Sequence, residues 1–152
     1  MTNSSEIIIR PAISFAVLKT LPLVLLSLVF LLLAWQYSPF FLFFSFGVLG
    51  AAWYRLLYIR SNRYIITSQV IHTSRGIFFK RTDQLEMYRV KDYVVTQSFL
   101  LQVLRLMNLT LKSTDAETPI LFFAGIPESD LIDTIRDHVQ QARKANNIYE
   151  IN

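Results

Sequence analysis

The residues able to do chemistry are few and mostly basic. Arg75, Lys80 and Arg81 stand close together, and Arg55, Arg60 and Arg63 form a second group just ahead of them. Clustered guanidinium and ammonium groups recognise phosphate and carboxylate, so the chemistry open to these six is the binding of an anion. Beside them Ile77, Phe78 and Phe79 form an apolar triplet. Phe122 and Phe123 follow later. Consecutive apolar residues in a strand point to both faces, so at least one aromatic of each group needs a cover: bilayer, the chain itself or a partner. Catalysis has no comparable set. His72 and His138 are far apart, and no nucleotide-binding loop, HExxH or GxSxG occurs. Zero cysteines exclude disulfides and thiol chemistry. Glu128, Asp130, Asp133 and Asp137 crowd one segment, but without histidine or calcium-loop spacing they read as a solvated face. The expectation is no enzyme, no cofactor and no metal. A net charge of +4 and a pI near 9.5 are too modest to argue for nucleic acid.

The elements that position these residues begin with two apolar runs. Residues 21–37 (LPLVLLSLVFLLLAWQY) reach back to Ile13 with Lys19 as the interior charge, and residues 40–59 (FFLFFSFGVLGAAWYRLLYI) carry only Arg55. About 20 apolar residues cross a bilayer core, so segments 13–37 and 40–59 are expected as a transmembrane hairpin turning at Ser38 and Pro39. The first run is too long for a signal peptide and lacks a small-residue cleavage site. Arg10, Lys19, Arg55, Arg60 and Arg63 all lie toward the ends away from the turn. That places both termini in the cytoplasm, with Lys19 and Arg55 snorkelling to the same interface. Trp35 and Tyr37 at one boundary, and Trp53, Tyr54 and Tyr58 toward the other, fit aromatic belts. Gly47, Gly50 and Ala51 are expected to let the second helix approach the first.

Residues 1–12 read as a short cytoplasmic tail, 60–145 as one small soluble domain and 146–152 as a second tail. From Arg63 the chain offers short β-branched and aromatic runs separated by turn signals: 63–68, 69–76, 77–83, 84–90, 91–98, 108–113 and 119–123. About seven antiparallel strands are expected. The strand at 92–96 alternates poorly and is expected to be buried on more than one face, and 99–106 reads as a helical turn or a bulged connection. Leu131, Ile132, Ile135, Val139 and Ala142 recur at helical spacing and give an apolar stripe. Pro127, Glu128 and Asp130 suit the first turn of that helix and Arg143 and Lys144 the last. The helix is the available cover for the open core of a short sheet.

Residues 84–115 carry a more specific pattern. Arg89, Val90 and Asp92, then Gln97 and Ser98, then Leu100, Leu101 and Leu104, resemble the central motif of the bacterial membrane-anchored pleckstrin-homology-like family. RYIITSQVI at 63–71 and Gly76 are similar to its opening hairpin. The resemblance implies an α+β fold: a two-helix hairpin, then a partly open β-barrel capped by a C-terminal α-helix. It implies no activity. One departure is that Met107 and Asn108 stand where the family commonly has glycine; Asn tolerates the left-handed conformation better than most residues.

The expected protein is an integral, multi-pass member of the bacterial cytoplasmic (inner) membrane. Its expected role is a non-catalytic scaffold for other proteins or its own copies, using a sheet edge or an exposed aromatic surface such as Phe78 and Phe79. A second reading is recognition of anionic head groups by Arg75, Lys80, Arg81 and the juxtamembrane arginines. A third is an accessory subunit of a transport or secretion complex, bound through Gly47, Gly50 and Ala51.

Overall fold

The computed structural model describes residues 6–146; the first five residues of the expected N-terminal tail, and residues 147–152 of the C-terminal one, lie outside them. A short strand β1 (Ile7–Ile9) leads into two long helices, α1 (Ile13–Gln36) and α2 (Phe41–Ser61). At 1.5 Å per residue these are about 36 and 32 Å long, against about 30 Å for a hydrocarbon core. Only 17% and 6% of their most apolar windows are buried. They are long and apolar enough to cross a membrane.

The two helices run antiparallel. Ser45 donates its hydroxyl to the Ser27 carbonyl at 2.9 Å, and the Phe30 ring stacks on Phe41 and Phe44. Ala52 is the small residue buried at this contact. The sequence expectation for Gly47, Gly50 and Ala51 is corrected here: all three are exposed, and a Cβ at either glycine would meet nothing within 4 Å. The reason is helical phase. Ser45 and Ala52 are two turns apart on one stripe, and positions 47, 50 and 51 lie roughly on the opposite side.

Six further strands follow: β2 (Arg63–Ile66), β3 (Val70–Arg75), β4 (Arg81–Glu86), β5 (Val90–Thr96), β6 (Leu106–Ser113) and β7 (Ile120–Pro127). A 3-10 turn at Met87–Arg89 precedes β5, and a short helix α3 (Phe99–Val103) precedes β6. They form two antiparallel sheets, β1-β2-β3-β4 and β5-β6-β7. Both sheets share one core. Tyr64, Ile66, Ile71 and Leu85 from the first meet Leu109, Leu111, Leu121 and Phe123 from the second, with the Tyr64 and Phe123 rings edge to face at 4.5 Å. The amphipathic helix α4 (Leu131–Ala145) covers that core with Leu131, Ile135 and Ala142, assisted by Ile132 and Val139. The expected stripe is the observed one, but Pro127 ends β7 and Asp130 precedes the first turn.

Seven strands among the described residues match the expected number through compensating differences. Ile7, Ile8 and Ile9 pair with Ile66, Ile65 and Tyr64, so part of the supposed tail belongs to the sheet. Conversely, segments 77–83 and 84–90 supply one strand. Gly76 adopts φ +105°, and the Phe79 carbonyl occupies the space a Cβ would need, so residues 77–80 form a hairpin tip instead of a strand. The expectation that 92–96 is buried on more than one face is also corrected. β5 is an edge strand in which only Val90 is buried. The left-handed residue of the connection after α3 is Arg105, φ 51°. Asn108 instead sits at a β-bulge and accepts the Gly125 amide at 2.9 Å through Oδ1.

Two substitutions test the helix packing. Ala52→Leu is expected to wedge α1 from α2 at a cost of about 1–3 kcal/mol, lowering the thermal midpoint of the chain in detergent. The double change Gly47→Leu and Gly50→Leu should leave that midpoint unchanged or slightly raised, because leucine is the better helix former.

Candidate functional site

The helices are rooted in the β domain at one joint. The Ala12 amide donates to the Gly125 carbonyl at 2.9 Å. Three residues later the Phe15 ring is buried with Leu101 and Leu106, flanked by Leu18, Ile59 and Ala124. Gly125 has φ +60°, and the Phe15 ring fills the place where its Cβ would be. Glycine is required there twice over, by conformation and by space.

Around that joint the domain shows apolar surface on the helix side. α3 exposes Phe99, Leu100 and Val103, although Leu101 from the same turn is buried against Phe15. At the β3–β4 tip Phe78 and Phe79 are 81% and 93% exposed. Tyr58, in the last turns of α2, lines a cavity of about 400 Å³ together with Arg75, Gly76, Phe79 and Arg81. The tip therefore stands beside the end of α2.

The basic residues singled out in sequence divide into separate places. Arg75 and Arg81 face each other across the hairpin. Arg81 is paired with Asp83 at 2.8 Å. Arg75 donates through Nη2 to the Phe122 carbonyl at 3.4 Å, while its buried Nε has no partner among the described residues. Glu117 lines the same cavity, so this mouth is less positive than its arginine count suggests. Lys80 stands exposed at the tip and makes no ion pair among the described residues. Arg60 closes the last turn of α2 and Arg63 opens β2, both exposed. Arg55 is not with the tip at all. It lines another cavity, with Lys19. His72 lies on β3 opposite Gln84, and His138 lies on α4 with Nδ1 buried and without a hydrogen-bond partner among the described residues. No cluster that could hold a metal occurs among the described residues.

The motif residues at 89–98 organise the turns. Arg89 bonds Glu86 and Asp115, each at 2.8 Å, and its carbonyl accepts the Thr114 amide, tying the 3-10 turn to the β6–β7 loop. Hydrogen bonding to Tyr88, with the neighbouring Glu86 and Asp115 charges, raises the Arg89 pKa. The Thr118 hydroxyl, donating to Asp115 Oδ2 at 2.7 Å, and the Arg89 charge hold the Asp115 carboxyl below its ordinary range. Gln97 donates to the Leu106 carbonyl at 3.1 Å, closing the two ends of the α3 excursion on each other.

A trough that sequence reasoning missed is marked by two separate cavities along β5, with α4 and residues 128–130 just before it on the opposite side. Near one end Val90, Lys91 and Tyr93 face Arg136, Val139 and Gln140 across about 220 Å³. Near the other, Val95 and Gln97 face Ser129, Asp130 and Ile132 across about 490 Å³. Arg136 donates to the Tyr93 hydroxyl, and Arg143 caps the Val90 carbonyl at 2.8 Å. Asp92 accepts the Tyr93 amide at 2.8 Å, which identifies Tyr93 as an outward-facing residue of the strand. Alternation then places the Val95 amide and carbonyl on the same open side. The only sequence signal was the poor alternation of 92–96, which points equally to double burial.

A protein-family model described as Bacterial PH domain matches residues 12–143. The chain belongs to the bacterial PH domain family. Comparison with curated proteins and with solved structures finds no match. In this bacterial PH domain the two sheets and the capping helix are the family fold, with the sheets left unclosed, and the matched range takes in both long helices.

The Asp115 environment gives a pH prediction. A carboxyl whose pKa is depressed on folding stabilises the fold above the unfolded value, near 4, and loses that contribution as pH falls through the folded value. Acid titration followed by amide exchange should therefore show the 113–118 loop opening as pH drops below about 4. Asp115→Asn should open it already at neutral pH and flatten the acid limb.

Proposed function

We propose that this bacterial PH domain is a non-catalytic, membrane-tethered scaffold that accepts an extended segment of a partner protein on the open edge of β5. The two apolar helices act as a bilayer hairpin, with both termini and the β domain on the cytoplasmic side. The supporting observation is the β5 edge. Beyond Tyr93 the outward backbone groups of Val95 make no backbone hydrogen bond among the described residues, which leaves them to pair with an added strand. Val94 and Val95 are each 38% exposed, and α4 supplies a second wall for the side chains of that strand. Strand addition of this kind takes affinity from main-chain hydrogen bonds and specificity from alternate side-chain pockets. Edge strands left open are hazards that folds usually blunt. Here the blunting is confined to the Val90 end, where Asp92, Arg136 and Arg143 cluster.

Proline at an outward position removes the edge donor without touching the ladder to β6. A photo-crosslinking residue at Ser129 in the full chain, activated in the native membrane, should yield an adduct with a second protein. Val95→Pro should reduce that adduct by about tenfold or more. An adduct of twice the chain mass would make the partner another copy. An adduct indifferent to Val95→Pro, or none, would remove strand addition as the mode of binding.

A further inference from the structure

The cavity holding Lys19 and Arg55 lies where the helix hairpin meets the β domain, and it measures about 680 Å³. That is within the range that houses a small ligand. Its two cations lie at nearly the same height. Ser27 and Ser45 are level with each other; Lys19 is eight residues from the first and Arg55 ten from the second, so at 1.5 Å per residue they differ by only about 3 Å along the hairpin. Lys19 is also about 26 Å from the turn-side end of α1. With the turn at one face of a hydrocarbon layer about 30 Å thick, both cations reach the opposite boundary, where phospholipid phosphates lie.

The walls change character at that height. Leu21 and Leu25 line the cavity on the turn side of Lys19, about 3 and 9 Å deeper along α1, at the level of acyl chains. Pro22 lies between them and has no amide to give the Leu18 carbonyl, which loosens the helix beside the cavity. On the domain side Ser98 and Asn108 form a polar roof. Asn108 uses Oδ1 for Gly125, leaving its NH₂ group to donate. Among the described residues no carboxylate lines the cavity, and neither Lys19 nor Arg55 has an ion-pair partner. Lys19 is instead held over the Phe15 ring at 5.7 Å. The joint that fixes the domain thus also orients one of the cations.

We propose that this cavity is a binding slot for one anionic phospholipid of the cytoplasmic leaflet. The phosphate lies between Lys19 and Arg55, the head group reaches Ser98 and Asn108, and an acyl chain follows Leu21 and Leu25. This rests on the membrane-spanning reading of α1 and α2 but not on strand addition at β5. It is also distinct from head-group capture at the β3–β4 hairpin, where Arg81 already has Asp83.

Native mass spectrometry of the full chain, released from nanodiscs of equal parts phosphatidylglycerol and phosphatidylcholine, reads the slot directly. The expected result is one retained phosphatidylglycerol per chain, favoured over phosphatidylcholine by about tenfold or more. Retention should be lost in Lys19→Gln/Arg55→Gln and also in Ser98→Trp, which fills the slot from its exposed roof and keeps both charges. It should be unchanged in Arg75→Gln/Arg81→Gln. Equal retention of the two lipids, retention unaffected by both slot variants, or loss in the Arg75/Arg81 variant would overturn the proposal. Failure of the wild-type chain to enter nanodiscs would overturn the membrane reading beneath it.

Discussion

The seating of Phe15 against Gly125 is the constraint on which the arrangement of the molecule depends. A helical hairpin joined to a domain by a single linker would swing freely. Here α1 enters through a backbone bond from Ala12 to Gly125 and a buried ring three residues later. α2 leaves directly into β2, and β2 pairs with β1, the strand that precedes α1. The hairpin is therefore an insertion between two hydrogen-bonded strands, attached at both ends to the same end of that strand pair. Two attachments plus a buried aromatic fix direction as well as distance. Gly125→Ala attacks that joint through both the left-handed backbone and the lost space, at a cost of about 1–3 kcal/mol.

With the hairpin fixed, the surfaces of the domain acquire definite heights. α3 is held against Phe15 by Leu101, so Phe99 and Val103 on its other sides stay near the root of the helices. The β3–β4 tip is brought beside Tyr58, so Phe78 and Phe79 are near the root as well. Exposed aromatics at two separate points around one joint are costly in water. Against a bilayer the same phenylalanine rings would bury that apolar surface at the boundary of head groups and acyl chains.

Much of this was legible in the sequence, for reasons that differ by element. The long helices were readable because soluble folds seldom use an uninterrupted apolar run of bilayer length. α4 was readable because its stripe persists for four turns. The motif at 89–98 was readable as a pattern, and the structure supplies its mechanics: Arg89 pins two turns together, and Gln97 closes the α3 excursion. β1 was not readable. Three isoleucines show no alternation, and their partner, β2, lies a whole hairpin away in sequence. The placement of Gly47 and Gly50 failed because small residues mark a close approach only when their phase matches the contact. The contact phase here is set by Ser45 and Ala52. The exposure of β5 failed because poor alternation does not distinguish a doubly buried strand from an edge.

The slot and the trough are not independent surfaces. Gln97 lines the trough and Ser98 lines the slot, and the pair is fixed through the Gln97 bond to the Leu106 carbonyl. The next turn, α3, carries Leu100 and Leu101 into the slot. Any occupant of one cavity that shifts residues 97–98 must therefore act on the other. If lipid and partner favour the same position of that pair, each raises the affinity of the other by the same factor; if they favour different positions, each lowers it by the same factor. The joint at Phe15 favours local coupling, because tilting the domain on its hairpin would have to break the Ala12–Gly125 bond and unseat the ring. With the proposed partner at the β5 edge and the proposed lipid in the slot, each would then report on the other through two consecutive residues.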